Sequence, residues 1–209
     1  MRTSCLATVL ALLPLSLPAE AQVAAPDYVF LDTEKTSTLQ RELQDAADNG
    51  YRLVSGYGSW GRPTVILEKA LDPEPVEYLL LATANTGTLQ DEIAEAATRG
   101  YRLASVFEKG GEAVVVMQRA PGRVDPTHEY VVLGAKRIKT MEEEFLAAAA
   151  NGFRLVGQSH YNSPASTALR IVASAVTFGA AGGDVIREML AILERPIHDQ
   201  PPRVAVLDQ

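Results

Sequence analysis

The sequence predicts an α+β fold: three tandem β-α-β-β repeats, with antiparallel-rich sheets and helices on one side. Three observations predict it. A segment running from Thr to Gly-aromatic-Arg-Leu is written three times, as Thr38–Leu53, Thr88–Leu103 and Thr140–Leu155. The Thr-to-Gly distance is 12 residues in every copy. A Tyr that opens an apolar run stands 10 residues ahead of each Thr, at Tyr28, Tyr78 and Tyr130. Self-similarity at a period near fifty residues marks a chain built of stacked supersecondary units.

The segment 1–21 reads as a secretory signal rather than as part of the fold. Arg2 gives a positive start, Cys5 to Leu17 is apolar, and Ala19-Glu20-Ala21 is a small-x-small cleavage site. Pro14 and Pro18 interrupt the run, which is too short for a membrane span. Removal of the segment takes away the single Cys, so the remaining chain carries neither disulfide nor thiolate chemistry.

Each repeat then follows the same order, in repeat 1 (27–70), repeat 2 (77–120) and repeat 3 (129–195). The runs Tyr28–Leu31, Tyr78–Leu81 and Tyr130–Leu133 are apolar without alternation, which predicts strands covered on both faces. The helices carry one apolar stripe at i, i+4, i+7 and i+8: Leu39, Leu43, Ala46, Ala47; Leu89, Ile93, Ala96, Ala97; Met141, Phe145, Ala148, Ala149. Thr38, Thr88 and Thr140 are placed as N-caps, with Thr140 and Glu143 forming a capping box. Gly50, Gly100 and Gly152 end the helices in the left-handed region, and the following aromatic folds back onto the last turn.

A hairpin completes each unit. Arg52 to Glu68 and Arg102 to Gln118 are both 16 residues apart, which sets Leu53 opposite Leu67 and Leu103 opposite Met117. By the same logic Arg52, Arg102 and Arg154 are cross-strand partners of Glu68, Gln118 and Glu194, with a structural rather than catalytic role. A right-handed crossover gives the strand order first-third-second. The apolar backs of the sheets are expected to pack on one another, with the helices outward. Residues 184–194 favour helix by composition and strand by the repeat; strand is expected.

Repeat 3 breaks the pattern with an insertion at about 161–184. Its stretch Ser163–Gly179 has an N-cap Ser, Pro at the first helical position and a terminal Gly, predicting a helix, with a strand pair as the alternative. Beyond it lies a tail, 196–209. There Val204–Leu207 falls where a fourth first strand would begin, 10 residues after Glu194 as Tyr78 is 10 after Glu68.

The Gly-Tyr-Arg-Leu cores, with the Tyr-led strand and the Leu-containing helix before them, resemble small bacterial domains of unknown function. Those domains carry a Tyr-x-Val-Val strand, a Leu-rich helix, then Glu-Gly-Trp-Glu-Leu-Val and a hairpin. Three divergent copies would cover nearly all of 27–195. This chain has Tyr51, Tyr101 and Phe153 in place of Trp, and Arg52, Arg102 and Arg154 in place of Glu. The resemblance implies a fold and no activity.

Chemistry is sparsely written. His128, His160 and His198 lack metal-ligand spacing, and the acidic run Glu142–Glu144 suits a helical first turn. There is no nucleophile elbow, phosphate-cradling glycine loop or cofactor motif. A formal charge of −7 without a Lys/Arg cluster argues against nucleic acid. Nothing after residue 21 is long and apolar enough to span a bilayer. The candidate partner-binding residues are Leu169, Ile171, Val172, Val176 and Phe178 in the insertion, which lie too densely for one helix stripe. Tyr57 and Trp60 join them in a hairpin loop, although such aromatics more often fold back onto the sheet. The insertion equally suits a plug for the open end of the repeat core. The expected function is that of an exported, non-enzymatic binding or scaffolding protein of the cell envelope, meeting an envelope protein or small ligand. The alternative is a hydrolase-like enzyme with its site between repeats. Oligomeric state is not written in the sequence.

Overall fold

The computed structural model describes residues 25–59, 62–122, 128–161 and 188–197. The elements run β1 (Tyr28–Asp32), α1 (Thr36–Asp48), β2 (Tyr51–Ser59), β3 (Arg62–Lys69), β4 (Glu77–Thr83), α2 (Thr86–Thr98), β5 (Arg102–Lys109), β6 (Glu112–Arg119), β7 (His128–Ala135), α3 (Ile138–Ala150), β8 (Arg154–Tyr161) and β9 (Glu188–Pro196). They form three antiparallel three-stranded sheets, ordered β1-β3-β2, β4-β6-β5 and β7-β9-β8. Each is a β-α-β-β unit in the expected strand order. The third hairpin closes with a strand where composition favoured a helix, because register against β7 and β8 outweighs local propensity.

The hairpin registers are those set by the spacing. Arg52 faces Glu68, Leu53 faces Leu67, Arg102 faces Gln118, Leu103 faces Met117 and Arg154 faces Glu194. Each hairpin also shifts register at the same place, between Leu53 and Ser55, Leu103 and Ser105, and Leu155 and Gly157. A bulge repeated at one position in three copies is a built feature that bends the strand toward its neighbour.

The stacking of the units differs from the expectation of helices outward. Val65 and Leu67 of β3 and Leu31 of β1 pack under Leu39, Leu43 and Ala47 of α1. The other side of that same helix receives Tyr78, Leu80, Val114 and Val116 from the back of the second sheet. One layer on, α2 repeats the arrangement. Leu89, Ile93 and Ala96 lie between Val115 and Met117 of their own sheet and Tyr130, Leu190 and Ile192 from the back of the third. The order through the molecule is therefore sheet 1, α1, sheet 2, α2, sheet 3, α3. A helix has apolar residues to spare around its circumference when small alanines let both neighbours approach, so one helix covers two sheet faces.

Beyond the helix the layers touch directly. Gly56 and Gly58 of β2 lie against Phe107 and the Glu108 backbone of β5, and Gly157 of β8 lies against Val106 of β5. A Cβ at Gly58 would fall on the Glu108 carbonyl oxygen. These glycines are needed for close approach, a signal the alternation pattern alone does not carry.

Helix starts also differ from expectation. The N-caps are Lys35, Asn85 and Arg137, so Thr38, Thr88 and Thr140 sit in the first turn, three residues inside. Only Asn85 caps with its side chain, accepting from Gly87 N–H at 2.8 Å and Thr88 N–H at 3.3 Å. The Thr140–Glu143 capping box is therefore not formed: Arg137 precedes it, without a side-chain cap. The helix ends follow the sequence. Gly50, Gly100 and Gly152 have φ of +83°, +81° and +83°. Tyr101 N–H donates to Ala96 O and Phe153 N–H to Ala148 O, both at 3.2 Å, the six-to-one bond of a Schellman stop.

The two ends of the stack are uncovered by the described residues. The back of sheet 1 leaves Phe30 62% and Tyr28 45% exposed, so its apolar first strand is covered on one face rather than two. At the other end α3 has no buried residue, and Leu146 is 60% exposed.

Replacement of Gly100 by Val forces a β-branched residue to positive φ and should destabilise the fold by about 1 kcal/mol or more. The measurement is the denaturant midpoint, which should fall at unchanged slope; an unchanged midpoint removes the left-handed stop from the account.

Candidate functional site at the joints between repeats

Two kinds of polar contact recur where one repeat meets the next. The first is a side-chain amide laid along a strand edge. Strands β4 and β7 lie at sheet edges, and a free edge presents unpaired N–H and C=O groups. Gln40 of α1 donates to Tyr78 O at 2.8 Å and accepts from Leu80 N–H at 2.6 Å. Gln90 of α2 does the same to β7, donating to Tyr130 O at 3.1 Å and accepting from Val132 N–H at 2.7 Å. An amide carries both a donor and an acceptor, so one side chain satisfies both edge groups. In the first joint Gln44 adds a second such clamp, on Val76 O and Tyr78 N–H.

The second contact is a tyrosine hydroxyl set at the bulge. Tyr78 OH accepts from Leu53 N–H at 2.9 Å, and Tyr130 OH accepts from Leu103 N–H at 3.0 Å. Both phenols are held above their ordinary value of 10.0, first because burial disfavours the phenolate. For Tyr130 the neighbouring Glu194 carboxylate adds to the rise.

The second joint adds a buried carboxylate. Glu194, 7% exposed, accepts from Tyr130 OH at 3.1 Å and from Arg102 Nη2 at 2.5 Å. His128 Nε2 lies 4.0 Å away. Arg102 is held above its usual range chiefly by its bond to Glu194. Arg102, His128 and Glu194, with Arg154, Gly152 and Arg195, line a cleft of about 510 Å³. Arg102 thus pairs with a carboxylate of the next repeat, not with its cross-strand partner Gln118. Arg52 likewise turns away from Glu68 and donates to the Ala47, Tyr51 and Glu74 carbonyl oxygens. For Arg102 the layers are stacked closely enough that the next repeat offers a carboxylate, whereas Arg52 finds carbonyl oxygens at its own helix end and in the following linker.

This cluster is the most enzyme-like constellation among the described residues, and its internal duplicate explains most of it. Tyr78, Leu53 and Gln118 occupy the equivalent places in the first joint, with Arg52 near the phenol as Arg102 is in the second but an amide where Glu194 stands. A version that makes the same bond without the carboxylate assigns the tyrosine to joining layers. Flanking the joints, Arg119 stacks on Tyr101 and pairs with Glu77, while Arg195 stacks on Phe153 and pairs with Glu129, again a repeated structural device.

Of the residues proposed from sequence, Tyr57 lies on the back of sheet 1, opposite Thr64, and is 47% exposed. Its register equivalent in repeat 2 is Phe107, which is buried in the first joint. Trp60, Leu169, Ile171, Val172, Val176 and Phe178 lie outside the described residues, as do the segment 1–21 expected as a leader, most of the insertion and the stretch 204–207 expected as a last strand. His160 is exposed on β8, and His198 is outside the described residues. Sequence reasoning missed Gln40, Gln90 and the partnership of Arg102 with Glu194. The recurrence of Gln at one place in two helices was a usable signal. Comparison with family models, with curated proteins and with solved structures found no match to this chain.

Two outcomes follow for the charged joint. Arg102→Met leaves a buried carboxylate with one partner fewer and should cost about 1–3 kcal/mol, at the low end because Arg102 is half exposed. Glu194→Gln copies the amide that Gln118 supplies at the first joint and should cost less. In the double variant most of the Arg102 penalty should vanish, as read by a double-mutant cycle in urea.

The raised tyrosines fix the alkaline behaviour. Because the folded state holds both phenols neutral, their contribution is whole below pH 10 and is lost as pH climbs through the folded values. Stability should hold level up to about pH 10 and then fall, and Tyr130→Phe should flatten that decline. A decline of equal slope in the variant would place the alkaline sensitivity elsewhere.

Proposed function

We propose that this chain is an exported repeat protein of the cell envelope that acts by binding and scaffolding rather than by chemistry of its own. The observation that carries this reading is the back of sheet 1. There Tyr28, Phe30 and Tyr57 stand exposed at positions whose counterparts Tyr78, Leu80 and Phe107 are contact residues of a built joint. A cluster of three exposed aromatics on one face of a sheet is characteristic of contact surfaces. Export is supported by the leader-like segment 1–21. Among the described residues no helix is long and apolar enough to cross a membrane.

The cleft around Glu194 supports a second reading, that of an enzyme with its site between repeats 2 and 3, because Arg102 and His128 converge there on one buried carboxylate and Arg154 lines the same cleft. The duplicate joint, which makes the same tyrosine bond without a carboxylate, makes it the weaker of the two.

Site-specific photocrosslinking in intact cells separates them. A crosslinker at Phe30 or Tyr57 should capture a protein in the exported fraction, while one at Arg154 should not. Capture from Arg154 alone, together with loss of a cellular phenotype in a folded Glu194→Gln chain, would overturn the scaffold reading in favour of the enzyme.

A further inference from the structure

Both ends of the stack are halves of a joint that the chain already builds twice. We propose that the protein assembles head to tail, the back of sheet 1 of one molecule seating on the outer face of α3 of the next. This inference rests on the reading of that sheet face as a contact surface, and it names a second copy as the occupant.

The match is residue by residue. The acceptor half of an internal joint is a sheet back bearing a Tyr, an apolar residue two places on, and an apolar residue on the central strand. Sheet 2 supplies Tyr78, Leu80 and Val116, and sheet 3 supplies Tyr130, Val132 and Ile192. On sheet 1 the same register positions hold Tyr28, Phe30 and Ile66. The donor half is a helix with a clamp residue in its second turn, followed by a bulge whose N–H meets the tyrosine. Repeat 3 offers α3, with Glu142 in the clamp place of Gln40 and Gln90, and Leu155 at the bulge, itself exposed. Where Gln44 stands in α1, α3 carries the exposed Leu146, so its outer face is more apolar than that of α1. A second copy would continue the alternation of sheet and helix unbroken.

Such a contact uses different surfaces on the two partners, so it is heterologous and extends rather than closing as a dimer. One position limits it. A carboxylate at Glu142 can accept from the Phe30 N–H but cannot donate to the Tyr28 carbonyl, as the two glutamines do to their strands. Glu142 therefore keeps the intermolecular joint weaker than the internal ones, a device against unlimited growth.

The test is sedimentation velocity on the full-length chain expressed with its own leader. The parent should show a mass distribution that grows with concentration past the dimer. Phe30→Glu and Leu146→Glu change exposed residues at opposite ends, and each alone should sediment as a monomer. Mixed in equal amounts they should form a one-to-one dimer and nothing larger, since each retains the half that the other lacks. Glu142→Gln should associate about fivefold to tenfold more tightly than the parent, one net hydrogen bond's worth. A parent that stays monomeric at every concentration, a Phe30→Glu chain that still self-associates, or a Glu142→Gln chain no tighter than the parent would each overturn the proposal. If the parent is monomeric while a crosslinker at Phe30 still captures an envelope protein, self-assembly falls and the scaffold reading stands. If Phe30 captures nothing and the parent is monomeric, both fall.

Discussion

Every sheet in this protein is apolar on both faces and owns one helix. That imbalance governs the rest. A three-stranded sheet with one helix on one face leaves a row of aliphatic side chains in water on the other, and removing each such side chain from water is worth roughly 1.5–3 kcal/mol. The neighbouring repeat's helix is the nearest apolar surface available. Thus α1 and α2 are shared between layers, and the second and third units each depend on the one before for their back cover. The wholly buried run Val114–Met117, with no polar alternate, is the direct imprint of a strand lying between two helices. A chain of such units is quasi-one-dimensional: contacts reach the adjacent layer and little further.

Hydrophobic cover alone would allow the layers to slide. Register between them is set by the polar joints, because Gln40 and Gln90 must meet one carbonyl and one amide of a particular strand, and Tyr78 and Tyr130 must reach one bulge N–H each. A misplaced layer would bury these groups without partners, at about 1–3 kcal/mol each. The glycines of β2 and β8 complete the fit by allowing layers to touch without side chains between them. A buried carboxylate enters at the second joint, where Glu194 replaces the amide of Gln118. A buried carboxylate demands partners and collects three around it: Tyr130, Arg102 and His128. A cluster that looks catalytic in isolation is, beside its counterpart without a carboxylate, the solution to a local desolvation problem.

The repeat architecture also separates what is functional from what is merely repeated. Features present in both joints belong to assembly of the fold. The places where the pattern is kept but no described residue supplies the partner are Tyr28, Phe30 and Tyr57 at one end and Leu146 at the other.

Much of this was legible in the sequence for one reason: local spacing dictates local geometry. The helix stops at Gly50, Gly100 and Gly152, the strand order within each unit and the hairpin registers of Arg52, Arg102 and Arg154 all follow from periodicity, turn chemistry and residue counting, since each involves groups close along the chain. The helix starts were misplaced by three residues because Thr is tolerated in a first turn as well as before it. How the units stack was not legible. An apolar sheet back demands cover but does not name it, and another sheet back or a neighbour's helix satisfies the same pattern. That choice, and with it the partnership of Arg102 with Glu194 across 92 residues of chain, was decided only by the tertiary structure, in which a helix lined with alanine is thin enough to be buried on both sides.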